Sequence, residues 1–272
     1  MKLSIFTSYV MNRAFPAPEI GLKHMYDQGM RCADISEGLL ATYPLHLHME
    51  YLQEAGLIPN CLITTLDVVT ASEQERKRNV AVAKGYIDQL EKQKIPFLMV
   101  APKVIRARSR QEFDAMQVKM VEGFSELVDY AAGSGVMVTI ENQSNVTRAD
   151  SSMHDIRKIL DAVPGLGYVL DAGNFFCIGE DVLTAYKLLS DRMVHAHFKD
   201  WKWDPYGMFA EEHMPRFDGT TLGEGLLPLR ELAGLMQSDS YNGSVALEIN
   251  SYNITPQILD DSSKFLRECF AL

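Results

Sequence analysis

The run Met193-Val-His-Ala-His-Phe-Lys-Asp200 gathers two imidazoles, an ammonium group and an acid into eight residues. At a period of two, Met193, His195, His197 and Lys199 point one way, and Val194, Ala196 and Phe198 the other. This suits a strand whose polar side runs into a site. Three more strand-like runs end on a carboxylate: Val136-Met-Val-Thr-Ile-Glu141, Tyr168-Val-Leu-Asp171 and Val245-Ala-Leu-Glu248. In each, the acid faces opposite the bulky residue before it. A single acid at a strand end is usually a solvated loop residue or a cap. Four strand ends that agree in residue type, position and spacing describe a metal site at one mouth of a parallel barrel. The spacing is 30 residues from Glu141 to Asp171 and 26 from Asp171 to His197, one strand–helix unit each; the 51 from His197 to Glu248 leave room for an insertion.

Three carboxylates and one imidazole form a hard, oxygen-rich set. It selects one divalent ion, Mn²⁺ first and Mg²⁺ or Co²⁺ after it, over a thiolate-loving ion. Four protein ligands on an octahedral ion leave two adjacent positions, which a hydroxyl and a neighbouring carbonyl of a sugar could fill. A Lewis acid there stabilises the enediolate formed when the proton alpha to the carbonyl leaves. One carboxylate removes that proton; a second on the opposite face returns it for epimerisation, while isomerisation can use one face. Lys199 continues the His197 face and is a candidate substrate contact. His195 lies one pleat below, either a hydrogen-bonded core histidine or a substrate contact. His24 and His154 fall on predicted helices, with surface positions expected. His46 and His48 are two apart on another helix and do not share a face.

The elements that must position these groups alternate. Strands are predicted at Leu3 to Thr7, Met30 to Ser36, Leu57 to Leu66, Ile95 to Val100, and at the four runs ending on or near Glu141, Asp171, His197 and Glu248. Pro16 and Pro18 open a helix that Gly29 closes, and Tyr43 to Glu54 is helical up to Gly56. Ser72-Glu-Gln-Glu75 and Ser109-Arg-Gln-Glu112 are capping boxes for two long helices. Further helices cover Met153 to Ala162, Val182 to Leu189, Leu229 to Met236 and the stretch after Thr255-Pro256. Eight strands alternating with eight helices in 272 residues predict one (β/α)8 barrel, residues 1–272 as a single domain. No G-x-G-x-x-G follows the first strand to favour an open doubly wound sheet. One connection is out of proportion. Trp201 to Pro228 carries both tryptophans, Tyr206, Phe209, His213, Arg216 and Phe217. A long aromatic loop on the active face reads as a lid-like insertion over about 201–222, or as a subunit contact in a homo-oligomer. His213 and Arg216 would then reach substrate when the lid closes.

The net charge of −10 argues against a nucleic-acid backbone as partner. Cys32, Cys61, Cys177 and Cys269 are widely spaced, without a CxxC pair, as expected of reduced thiols in the cytoplasm. No signal-peptide core or long apolar span is present, so no membrane partner is expected.

The runs Ile140-Glu-Asn142, Leu170-Asp-Ala-Gly-Asn174, His195-Ala-His-Phe-Lys-Asp200, Gly223-Glu-Gly225 and Leu247-Glu248 resemble the xylose isomerase-like barrels. Within them they look like the sugar phosphate isomerase/epimerase group, which includes ketose 3-epimerases, hydroxypyruvate isomerase and inosose dehydratase. The resemblance covers the chain in strand order and is strongest from Val136 to Glu248. It implies that Glu141, Asp171, His197 and Glu248 bind one divalent ion, and that Glu141 and Glu248 flank a small carbohydrate and move its proton. Ketose epimerases usually place a histidine three residues after the metal aspartate and an acid six residues after the first glutamate. Asn174, a further candidate substrate contact, and Thr147 stand there instead. A lyase, either a dehydratase or an enzyme cleaving oxidised C-glycosides, uses the same enolisation and is the alternative. An apurinic endonuclease would need more metal ligands and a basic face, and a non-catalytic barrel would bind no metal.

Overall fold

Parallel strands buried on both faces read as near-continuous apolar runs, and that is how the sheet of this chain is built. The structure is a computed structural model and describes residues 1–11, 13–69, 72–103, 106–207, 209, 216–251 and 253–272. The barrel strands are β1 (Lys2–Phe6), β2 (Cys32–Ser36), β3 (Ile58–Leu66), β4 (Phe97–Pro102), β5 (Met137–Glu141), β6 (Gly167–Asp171) and β7 (Met193–Phe198). Two hairpin strands, β8 (Asp200–Trp203) and β9 (Phe217–Thr220), precede the last barrel strand, β10 (Ser244–Leu247). The order β1-β10-β7-β6-β5-β4-β3-β2 closes the barrel, and the neighbours run parallel.

The surrounding helices are α1 (Thr7–Val10), α2 (Pro18–Asp27), α3 (Leu45–Ala55), α4 (Glu73–Gln93) and α5 (Arg110–Ala131). They continue with α6 (Met153–Ala162), α7 (Ala172–Cys177), α8 (Val182–Leu189), α9 (Leu229–Ser238) and α10 (Pro256–Phe270). Each longer helix turns one apolar stripe to the sheet; α6 buries Met153, Ile156, Ile159 and Leu160, spaced at helical period. Both expected capping serines act as such. Ser72 Oγ accepts from Glu75 N and Ser109 Oγ from Glu112 N, each at 3.2 Å. Such a cap contributes about 1 kcal/mol. The Glu112 carboxylate reaches back to Arg108 N, one residue before the cap, at 2.7 Å.

Three expectations shift. β1 ends at Phe6, because Thr7 already starts α1. α3 starts at Leu45 with Pro44 as its cap, since a residue before proline, here Tyr43, is driven out of helical geometry. The long connection after β7 is not irregular throughout: β8 and β9 form an antiparallel hairpin pairing Asp200 with Thr220 and Trp203 with Phe217. The alternation in Asp-Trp-Lys-Trp was there to read, but four residues are too few to stand out among loop residues.

Inside the barrel the core splits. Cys61, Met99 and Val169, with Ile63 and Phe97 against them, form an apolar cluster separate from the large core between sheet and helices. Beside it, with Asp34 paired to Cys61 and His195 to Val169, the residues Asp34, Asn60, His195 and Ser244 are buried and bonded to one another.

Candidate metal centre

Parallel pairing brings the expected residues together. Asp171 pairs with His197, and His197 with Ala246 of β10. Glu141 pairs with Val169, two residues before Asp171, so all three share the inward face and are stepped by the strand tilt. Glu248 lies one residue past β10, where its N–H donates to Phe198 O at 2.9 Å. One ligand-capable atom from each of Glu141, Asp171, His197 and Glu248 lies within 4.8 Å of the others, and all four residues are buried. His197 Nδ1 is 2.6 Å from Glu141 Oε1 and 3.3 Å from Glu248 Oε2. Lys199 is also brought in: its Nζ is 2.6 Å from Asp171 Oδ2 and 2.9 Å from Glu248 Oε1.

The surroundings hold each carboxylate by one oxygen. Gln143 Nε2 donates to Glu141 Oε2 at 3.2 Å. Asp171 caps α7, accepting from Asn174 N through Oδ1 at 3.0 Å. Lys199 takes Glu248 Oε1. The second oxygens, Glu141 Oε1, Asp171 Oδ2 and Glu248 Oε2, are those facing His197 or Lys199. Among the described residues, Asp171 Oδ2 and Glu248 Oε2 are buried without a hydrogen bond; the close approach of Lys199 to Asp171 Oδ2 is an ion pair lacking hydrogen-bond alignment.

Electrostatics record the excess of acid. Burial pushes Asp171 up to about 8, against the pull of Lys199. Burial works in the same sense on Glu248, but Lys199 and His197 outweigh it and hold this carboxyl at about 2. Burial opposes the charge on His197 and on Lys199 as well. The Glu141 and Glu248 carboxylates nevertheless raise His197, and Asp171 and Glu248 raise Lys199.

The donor set fits a hard divalent ion. Oxygen ligands at about 2.0–2.6 Å from a common ion lie no more than roughly 5 Å apart, and one atom from each of the four residues here lies within 4.8 Å of the others. Among the described residues, Glu248 Oε2 is buried without a hydrogen-bond donor and Asp171 Oδ2 meets only the Lys199 ammonium; leaving such oxygens incomplete costs free energy unless a cation meets them.

The other expected contacts fall into three groups. His195 is fully buried beneath the site; Nε2 is 3.0 Å from Asp34 Oδ2 and Nδ1 is 2.7 Å from Ser244 Oγ, so it occupies the barrel core. The Asn174 side chain donates to Asn142 O at 2.8 Å. Arg216 is exposed on the hairpin, with Nε donating to Gly207 O at 3.2 Å, and His213 lies outside the described residues. His154 and His46 are exposed. His24, expected on the surface, is half-buried and 2.6 Å from Asp260 Oδ1.

Several positioning residues were not anticipated. Asn142 donates to Asp171 O at 3.0 Å and accepts from Asp171 N at 2.9 Å and from Tyr168 Oη at 2.7 Å. It ties the ends of β5 and β6, and with them Glu141 and Asp171. Tyr9, on α1, accepts from Ile249 N at 3.2 Å beside Glu248; burial, then the Glu248 charge, raises its phenol. Asp200 accepts from the N–H groups of Gly223, Gly225, Leu227 and Trp201 at 3.0–3.1 Å. A Cβ at Gly225 would lie 2.1 Å from Asp200 Oδ1, so the Gly223-Glu-Gly225 run is a glycine turn folded around a carboxylate. The sequence signals for Asn142 were its adjacency to Glu141 and its place in the Ile140-Glu-Asn142 run, while its partners lie about thirty residues on.

Comparison with known proteins follows the same lines. A sequence profile described as xylose isomerase-like TIM barrel matches residues 41–269. An inosose dehydratase of Lacticaseibacillus casei is 24% identical over 132 residues, 46% of this chain, and the chain spans 40% of that relative's length. Among solved structures, the IOLI protein with a binding zinc atom superposes with a TM-score of 0.81 at 17% identity, over 100% of this chain and 98% of that one. A D-psicose 3-epimerase with D-tagatose from Clostridium cellulolyticum H10 gives 0.77 at 15% identity, over 99% of each chain. The 3-keto-D-glucoside 4-epimerase YcjR from E. coli gives 0.77 at 17%, over 99% and 100%. With a closed eight-stranded parallel barrel and a profile match over most of its length, the chain belongs to the xylose isomerase-like TIM barrel family.

Proposed function

We propose that this protein is a divalent-metal-dependent enzyme that moves the proton alpha to the carbonyl of a small sugar, keto-sugar or polyol derivative, as an isomerase or epimerase. The observation that carries the reading is the gathering of one ligand atom each from Glu141, Asp171, His197 and Glu248 within 4.8 Å at the barrel mouth. Those four residues would hold the ion, Mn²⁺ first with Mg²⁺ or Co²⁺ as alternatives, and the ion would supply Lewis-acid polarisation of the substrate carbonyl.

The rest falls to the chain. Glu141 and Glu248 are the proposed proton carriers. They come from β5 and the end of β10, on either side of β6 and β7. Two-face proton transfer requires such an arrangement, and general acid–base help of this kind is worth about 10²–10⁴-fold. Asp171 and His197 complete the ligand set. Lys199, Asn174, His213 and Arg216 are the proposed substrate contacts, and His195, whose two ring nitrogens are taken by Asp34 and Ser244, is left to the barrel core. The geometry favours Lys199 among them, because it lies beside two ligand carboxylates. The insertion over about 201–222 is proposed to cover the mouth. Its root is fixed beside the site: Trp201 Nε1 donates to Gly173 O at 3.1 Å, and Lys199 Nζ lies 6.0 Å from the Trp201 ring centre.

A lyase is the second reading. It is supported by the inosose dehydratase relative and by Asn174 and Thr147 standing where ketose epimerases usually carry a histidine and an acid. The test is an NMR screen of ketoses and inososes in D₂O with Mn²⁺-loaded protein. Deuterium alpha to the carbonyl without elimination supports the isomerase or epimerase, and an unsaturated or cleaved product supports the lyase. No exchange and no product from any compound in the loaded protein would overturn both.

A further inference from the structure

Lys199 is 3% exposed, and its path is built rather than free. It follows β7 two residues after His197, so it continues the inward face of that strand. Its stem crosses Gly173, where a Cβ would stand 2.2 Å from Lys199 Cγ, 2.7 Å from its Cδ and 2.7 Å from Trp201 Nε1. Any larger residue at Gly173 would push the lysine aside. Trp201 is itself buried and tied to Gly173 O, closing the other side of the channel. The channel delivers Nζ to Asp171 Oδ2 and Glu248 Oε1, two carboxylates of the proposed ligand set. Of the polar contacts described for Lys199, none goes to a neutral acceptor.

From this we infer that Lys199 is a fixed internal counter-cation that sets how tightly the site holds its metal. It is a positioning residue rather than a ligand, and the inference rests on the metal-site reading proposed above. Three carboxylates against one ammonium leave a deficit that one divalent cation makes good. Without the ammonium the deficit would exceed the charge of such an ion. Lys199 competes for Asp171 Oδ2 and occupies Glu248 Oε1, leaving Glu248 Oε2 toward the ligand cluster. It therefore weakens the site's pull on a cation while fixing which oxygens are offered.

The test is titration of full-length, chelator-stripped protein with Mn²⁺ alone, read by competition with a chromogenic chelator and by thermal unfolding. Lys199→Met should bind Mn²⁺ about tenfold or more tightly than the wild type, the scale on which one neighbouring charge shifts a buried carboxylate. Lys199→Arg, which keeps the charge, should stay within about threefold of the wild type. The Met variant should lose stability without Mn²⁺ and recover it with the ion, so its thermal shift on loading should exceed that of the wild type. A merely structural lysine would give the reverse, a looser site. Equal or weaker Mn²⁺ affinity in Lys199→Met overturns the inference. Should that variant not fold, Lys199→Gln carries the same expectation and the same refutation. A wild-type protein that binds no Mn²⁺ would instead remove the metal reading, and this inference with it.

Discussion

Two buried polar clusters sit one above the other in this barrel, and they are finished differently. In the lower one, Asn60 donates to Asp34 Oδ1 at 2.8 Å and accepts from Ser244 Oγ at 3.1 Å. His195 spans Asp34 and Ser244, and each side chain meets a complementary neighbour. His195 opposes the low-dielectric burial of Asp34 and draws its carboxyl below the usual range. In the upper one, three carboxylates crowd around His197 with Lys199 as the one ammonium, and among the described residues Asp171 Oδ2 and Glu248 Oε2 have no hydrogen bond. The rings of His195 and His197 are 4.9 Å apart and nearly perpendicular, so one strand serves both clusters. Burying polar groups does not by itself mark a site. What marks one is polar groups buried and left incomplete, because the fold bears that cost without a folding benefit.

The comparison can be broken most sharply by removing a basic oxygen above. Glu141→Gln or Glu248→Gln, fully loaded with Mn²⁺, should lose about 10²–10⁴-fold in turnover with little change in chemical stability. A near wild-type rate in either variant would remove that glutamate from proton transfer. Below, the expected loss is in stability. Asp34→Ala strands His195 in the core and should cost about 3–5 kcal/mol in urea unfolding, the usual penalty for breaking a buried pair. Its Mn²⁺ affinity should stay within a few-fold of the wild type. A stable Asp34→Ala protein that has lost metal would mean that the two layers are one site. Third, Mn²⁺ at about a hundred times its dissociation constant should stabilise the wild type by about 2.7 kcal/mol. Asp171→Asn should forfeit most of that gain and Asp34→Ala should keep it, as differential scanning calorimetry would show. The smallest effect belongs to a control outside both clusters. Ser109→Ala removes the cap of α5 and should cost about 1 kcal/mol, leaving the Mn²⁺ shift untouched.

The same contrast explains what could be read from the sequence. The gathering of the proposed ligands was legible because a strand of period two turns its last inward residue into the mouth, and Glu141, Asp171 and His197 end or nearly end strands. Capping serines 72 and 109 were legible because a cap is a contact over three residues. The lower cluster was not, because its bonds join β2, β3, β7 and β10, and nothing in Asp34 or Asn60 announces a partner more than 160 residues away. For the same reason His195 stood undecided until the opposite wall was in place. Asn142 and Asp200 act on backbone groups, which carry no residue type to search for.

Asp200 has a consequence for how such a barrel can change. The chain leaves β7 at this carboxylate, runs through the hairpin, and returns to the same carboxylate at Gly223, Gly225 and Leu227. Both ends of the excursion are thus clasped at one point outside the ligand cluster. The hairpin also touches the loop after Glu248, where Gly219 N donates to Asn250 O at 3.0 Å. A segment clasped at its two ends is nonetheless expected to tolerate changes of length and sequence without moving the strand that carries His197. Grafting a foreign loop between residues 202 and 222 should leave Mn²⁺ affinity within a few-fold of the original, while Asp200→Ala in the unaltered chain should not. Diversity at the rim and constancy at the metal would then trace to a single buried acid.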